Sequence, residues 1–180
     1  AGVCEREGLW LPAVAAYAGV AATFDSLRPH FAGWERADSI VVNPHKWLFT
    51  PLDASLLLTR RMDELRAAFS LVPEYLRTLD RATPVRDYNE YTPQLGRRFR
   101  ALKLWCLIRE QGVSGLQVRL RRDIDNARWL AAEVEKTPHW RVLAPVPLQT
   151  VCVRHEPTGL EGEALDRHTL AWADRINRSG

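Results

Sequence analysis

Lysine, methionine and cysteine are all scarce in this chain of 180 residues. Lys46, Lys103 and Lys136 are its only lysines, so 22 of its 25 cationic residues are arginine, and Met62 is its only methionine. An arginine bias of this kind often follows coding composition, so the formal charge of +3 is no argument for a nucleic-acid partner. No run of eighteen apolar residues occurs, which excludes a membrane-spanning helix of ordinary length. The opening stretch carries Glu5, Arg6 and Glu7 where a signal peptide needs its apolar segment, so the expected compartment is the cytoplasm. Cys4, Cys106 and Cys152 are odd in number, far apart and without a CxxC spacing. They read as buried, reduced thiols, with neither a disulfide framework nor a metal site.

What is present is a globular composition, 46% hydrophobic and 26% charged. The length suits one domain or part of a larger one. A first residue other than Met and a polar end at Asn177 to Gly180 raise the expectation of a segment cut from a longer protein. Three apolar runs read as buried strands of a parallel or mixed sheet: Leu9–Ala16 (interrupted by Pro12), Ser39–Val42 and Ser55–Thr59. Phe24–Phe31 reads as partly helical. Met62–Phe69 has a helical stripe at positions 62, 65, 68 and 69. The stretch from Pro73 to Pro93 is long, irregular and proline-containing, the signature of a lid or binding loop. Phe99–Gln111 reads as a helix closed by Gly112, and Ser114 opens a second helix running to Lys136. Strands at Trp140–Leu143 and Thr150–Val153 and a helix over Glu163–Ile176 complete the order.

The most informative residues are Asn43-Pro44-His45-Lys46-Trp47, directly after an apolar strand. An amine held there between backbone and apolar walls loses hydration. That disfavours its ammonium form, as a nucleophile attacking a carbonyl requires. His45 can donate a ring N–H to an anion or shuttle a proton. By spacing alone, an exposed lysine in a turn after a strand is the commoner reading.

The string Ser39-Ile40-Val41-Val42-Asn43-Pro44-His45-Lys46-Trp47 resembles the cofactor-lysine signature of the pyridoxal-phosphate-dependent aromatic L-amino-acid decarboxylases, the group II decarboxylases. Three further blocks follow that family's order. Ala15-Ala16-Tyr17-Ala18-Gly19 resembles the turn after the strand beneath the cofactor ring. Glu74-Tyr75-Leu76-Arg77 resembles the start of the catalytic loop. Gln94-Leu95-Gly96-Arg97-Arg98-Phe99-Arg100-Ala101-Leu102-Lys103-Leu104-Trp105 resembles the helix start beyond it. The resemblance implies an α/β fold: part of a type I pyridoxal-phosphate large domain, a mostly parallel sheet with helices, plus the start of a small α+β domain. Residues 1–92 would be the C-terminal part of the large domain, and 93–180 the linking helices and the opening of the small one.

The same resemblance implies a carboxy-lyase acting on an aromatic L-amino acid of the tryptophan or tyrosine/DOPA type, in a homodimer, with no nucleic acid, membrane or metal involved. Lys46 would carry pyridoxal 5'-phosphate as a Schiff base. His45 and Asn43 would meet its phosphate, Ala16 would lie against one face of its ring, and Tyr75 would deliver a proton after CO2 leaves. Arg97 would pair with carboxylates to hold the helix start. Gly112 resembles the glycine that accompanies indole substrates.

Two places depart from the pattern, one of them the tract Asp87-Tyr88-Asn89-Glu90, which lacks the basic residue common after the Asp-Tyr pair in animal and plant members. Val14 stands where the family carries an Asp facing the pyridine nitrogen, whose carboxylate keeps that nitrogen protonated and electron-accepting. Segments that supply further phosphate ligands lie outside this chain. A catalytically impaired relative or an interaction fragment is therefore the alternative reading. A basic nucleic-acid module built on Arg97, Arg98, Arg100 and Arg119 to Arg122 is another.

Overall fold

The computed structural model describes residues 1–70 and 88–179. The chain divides into two compact units, Ala1–Gln117 and Val118–Gly180. In the first, helix α1 (Gly2–Arg6) leads to strand β1 (Pro12–Val14). Short 3-10 turns over Ala18–Thr23, Asp25–Phe31 and Trp34–Arg36 return the chain to β2 (Ser39–Val42), followed by β3 (Leu56–Thr59) and helix α2 (Met62–Phe69). A 3-10 turn at Tyr88–Tyr91 then precedes α3 (Arg100–Lys136).

The sheet order is β1-β2-β3, with β1 parallel and β3 antiparallel to β2. It is a mixed α/β arrangement, as the apolar runs imply. The parallel pairing is fixed where it begins. The Leu11 N–H donates to Asp38 Oδ2 at 2.7 Å, and Trp10 Nε1 donates to Ser39 Oγ at 2.9 Å. The bond from Leu11 and the Arg61 guanidinium together hold the Asp38 carboxyl below its usual range. Pro12, which has no N–H, opens a strand at the sheet edge, where its missing donor breaks no central ladder.

Burial departs from the expectation of three buried strands. Ser39 and Val42 on the middle strand are buried, whereas Val14 on β1 is 80% exposed and Leu56, Leu57 and Leu58 on β3 are exposed. Among the described residues β2 has a strand on each side, whereas β1 and β3 each have one. The core of this unit is gathered instead behind the turns, at Val20, Ala21, Phe24, Leu27, Ala37, Val42, Trp47 and Ala54.

Helix α2 has the bounds its apolar stripe implies, and Arg66 on it pairs with Glu90 of the following 3-10 turn. Within α3 the backbone at Gly112 is not helical, with φ 65° and ψ 171°, so α3 consists of the two expected helices, which meet there at a kink. A positive φ of that kind is open to glycine at little cost and strains other residues. Leu116, Leu120, Ile124 and Ala127 form a buried stripe along α3 at helical spacing.

The second unit carries β4 (Trp140–Val142), β5 (Val153–His155) and α4 (Gly162–Ser179), with β4 and β5 antiparallel. β5 lies three residues later than its apolar run implies. Trp140 pairs with His155 and stacks on it at 4.9 Å, and it also meets Trp172 of α4 edge-on at 5.0 Å. Aromatic packing therefore sets the register in preference to the Thr-Val-Cys-Val run. His155 Nδ1 lies 3.0 Å from His168 Nε2, a second link between β5 and α4.

All three cysteines are free, as expected, but they are not buried: Cys4 is half-buried and Cys106 and Cys152 are exposed. Cys106 follows Trp105 on a part of α3 that is largely exposed, so no packed interior encloses it. Among the described residues no helix is long and apolar enough to cross a membrane, and no cluster of ligating side chains could hold a metal.

Candidate active site

Two parallel strands end side by side, and the residues singled out by the sequence follow both ends. The Ala15 N–H donates to Val41 O at 2.9 Å, and the Asn43 N–H donates to Ala16 O at 2.9 Å. Ala16 is thereby held against Asn43, with His45 and Lys46 in the next turn. The carboxyl ends of parallel strands are where open α/β sheets bind their ligands, because the loops there are free to present side chains.

The turn bearing Lys46 is anchored from below. Pro44 and Trp47 are buried, Trp47 to 2% exposure, and the Trp47 ring stacks on Tyr17 at 5.5 Å with 6° between planes. The Lys46 N–H donates to Asn43 O at 3.0 Å, which tightens the turn. Lys46 itself is exposed. The apolar walls expected around its amine are not supplied by the described residues.

Two polar side chains beside it are oriented by the far side of the β2–β3 connection. Ser55 Oγ donates to Asn43 Oδ1 at 2.7 Å, which leaves the Asn43 Nδ2 donors for a ligand. His45 Nδ1 lies against the Ala54 backbone, 3.0 Å from its N and in contact with its O, so Nε2 is the ring nitrogen left to face outward. Ala54 is buried, which makes it a fixed support. An exposed primary amine flanked by amide and imidazole nitrogens suits a ligand that is both a carbonyl compound and an anion.

Gly19 explains how the two strand ends come so close. Its N–H donates to Ala15 O at 2.9 Å, and a Cβ there would lie 2.9 Å from Val42 Cγ2 and 3.0 Å from Ala15 Cβ. Gly19→Ala is therefore expected to cost about 1–3 kcal/mol through overpacking. Urea denaturation of the variant measures this; an unchanged midpoint would mean that Val42 and Ala15 yield freely.

The sequence model of the pyridoxal-dependent decarboxylase conserved domain matches residues 1–156. The chain belongs to the pyridoxal-dependent decarboxylase family. It is 37% identical to a tryptophan decarboxylase of Camptotheca acuminata, over 99% of this chain and 36% of that protein. It is 38% identical to the aromatic-L-amino-acid decarboxylase of Bos taurus, over 91% of this chain and 34% of the relative. Its fold matches a crystal structure of Oryza sativa TDC with PLP and tryptamine at a TM-score of 0.90 and 34% identity, covering 99% of this chain and 37% of the other. The chain thus spans about a third of the length of these relatives. The family is one of pyridoxal-phosphate-dependent carboxy-lyases built on the type I fold.

The residues present fit pyridoxal phosphate at its aldehyde, through the Lys46 amine, and at its phosphate, through the nitrogens of His45 and Asn43. At the ring nitrogen Val14 supplies no acceptor. Tyr75 lies outside the described residues, as does the rest of the expected loop up to Asp87. Arg97 is exposed and forms no ion pair among the described residues; the pairing expected of it is made by Arg100, whose Nε lies 2.9 Å from Asp53 Oδ2. Arg100 is therefore not part of a free cationic patch. Nothing in the sequence assigned Asp53, Ala54, Ser55 or Lys103 a role at the site, because each acts there through contacts with residues 9 to 50 positions away.

Proposed function

We propose that this chain is the cofactor-lysine segment of a decarboxylase of aromatic L-amino acids, of the tryptophan or tyrosine/DOPA type. The observation that carries this reading is the placement of Lys46, His45 and Asn43 after one strand end, hydrogen-bonded to Ala16 at the end of its parallel neighbour. When bound, pyridoxal phosphate supplies an electron sink for the carbon that loses CO2. Lys46 holds the cofactor through its amine, and the Asn43 amide and His45 Nε2 bind its phosphate. Ala16, with a side chain of one carbon, leaves room for the flat ring. Tyr75 donates the proton that replaces CO2. Residues 1–92 form the C-terminal part of the cofactor-binding domain, and residues 93–180 the linking helices and the start of the small domain. The whole protein works as a cytoplasmic homodimer.

One observation favours a second reading, a catalytically impaired relative: Val14 is exposed on β1 and offers the cofactor nitrogen no charge. The test is an absorbance scan of the full-length protein with pyridoxal phosphate, then borohydride reduction and peptide mapping. A new absorbance band and a reduced adduct on Lys46, with CO2 released from L-tryptophan or L-tyrosine, are expected. An adduct on Lys46 without CO2 would select the impaired reading, and no adduct would defeat both.

A further inference from the structure

The side chains proposed to meet the cofactor phosphate depend on a piece of chain that is itself held from a distance. Ala54 supports His45 and Ser55 supports Asn43. The residues just before them, Pro51 to Asp53, are gripped by two cations of α3. Lys103 Nζ donates to Pro51 O at 3.0 Å and to Asp53 O at 2.6 Å, while Arg100 Nε donates to Asp53 Oδ2 at 2.9 Å.

From this geometry we infer that Lys103, assisted by Arg100, is a positioning residue for the phosphate end of the cofactor site. The inference rests on the reading of Lys46, His45 and Asn43 given above. Positions 100 and 103 are one helical turn apart and so lie on one face of α3, where they act together on the turn. A compact ammonium with three donors can serve two carbonyl oxygens at once, and bonds from a charged donor are stronger than neutral ones. The Arg100 guanidinium also holds the Asp53 carboxyl below its usual range, so that side chain stays ionised and gripped at neutral pH. With 51–53 held, Ala54 and Ser55 keep a fixed height against His45 and Asn43. Without that grip the ring of His45 and the amide of Asn43 are free to turn away. The Lys46 backbone keeps its own anchor, the N–H donated to Asn43 O beside the buried Trp47.

The full chain provides the test, through two measurements on Lys103→Met and on Lys103→Arg. The first compares affinities for pyridoxal phosphate and for pyridoxal, which has the same aldehyde and ring but no phosphate. Lys103→Met is expected to weaken the phosphate ester about tenfold and to leave pyridoxal unchanged, with Lys103→Arg restoring part of the difference. Equal weakening of both ligands would show general support of the fold, and no weakening of either would show no role. Each of these results overturns the inference. The second measurement follows the ring nitrogens of His45 by nitrogen NMR without any cofactor. Release of Nδ1 from Ala54 shifts its signal in Lys103→Met, and an unchanged signal overturns the positioning role. Should the unaltered chain fail to prefer the phosphate ester while the His45 signal still responds to Lys103, the positioning stands and the cofactor reading falls.

Discussion

Lys46→Ala in the full-length protein is expected to lower CO2 release by about a thousandfold or more, and to abolish the borohydride-fixed adduct. The other lysine near this turn among the described residues, Lys103, has its amine engaged by Pro51 O and Asp53 O. His45 and Asn43 can bind an anion, but neither can hold the cofactor covalently. Stability should change by only about 0.5 kcal/mol in either direction, because Lys46 is exposed and has no side-chain hydrogen bond or ion pair among the described residues. That contrast separates a chemical loss from an unfolded variant. A circular-dichroism melt beside the CO2 assay is sufficient. Retained adduct formation in Lys46→Ala would place the reactive amine elsewhere.

Val14→Asp is expected to have the opposite sign. A carboxylate facing the cofactor's ring nitrogen stabilises its protonated form, and each unit by which that pKa rises is worth about 1.4 kcal/mol, or tenfold. With a rise of one to two units, CO2 release should climb roughly 10- to 100-fold at neutral pH, and the activity should extend further to the alkaline side. The fold can accept the change. Within this chain Val14 is 80% exposed, and its backbone pairing with Val41 does not depend on the side chain. The lower strand propensity of Asp costs at most about 1 kcal/mol. The measurement is the pH profile of CO2 release for both proteins. Coincident profiles would mean that Val14 is not what limits this chain.

Much of this architecture was legible as local pattern. The stripe at Met62, Leu65, Ala68 and Phe69 marks α2 at both ends, and the unbroken Ser39–Val42 run marks β2. Gly112 marks the break in α3, because a backbone φ of 65° selects for glycine. Each of these signals is carried by residues within a few positions of one another. The misplacements are equally specific. β5 lies over Val153–His155, where His155 pairs and stacks with Trp140, whose ring is met on its other contact by Trp172, 32 residues further along than Trp140. Cys106 and Cys152, expected inside, are exposed, since burial depends on which elements cover a surface and not on residue type.

The site divides along the same line. By itself the sequence determined that a lysine follows a continuous apolar strand, with His and Asn beside it. Those are facts of order along the chain, and four ordered blocks were enough to indicate the family. Only the tertiary structure decided that Asn43 is tied to Ala16 and Ser55, and that His45 leans on Ala54. It also decided that Arg100, not Arg97, pairs with Asp53, and that Lys103 grips the turn behind them. Asp53 and Arg100 are 47 positions apart, and Lys103 and Asp53 are 50. A contact over such separations leaves no periodicity in the chain; it exists only once the strands and α3 have brought the two ends together.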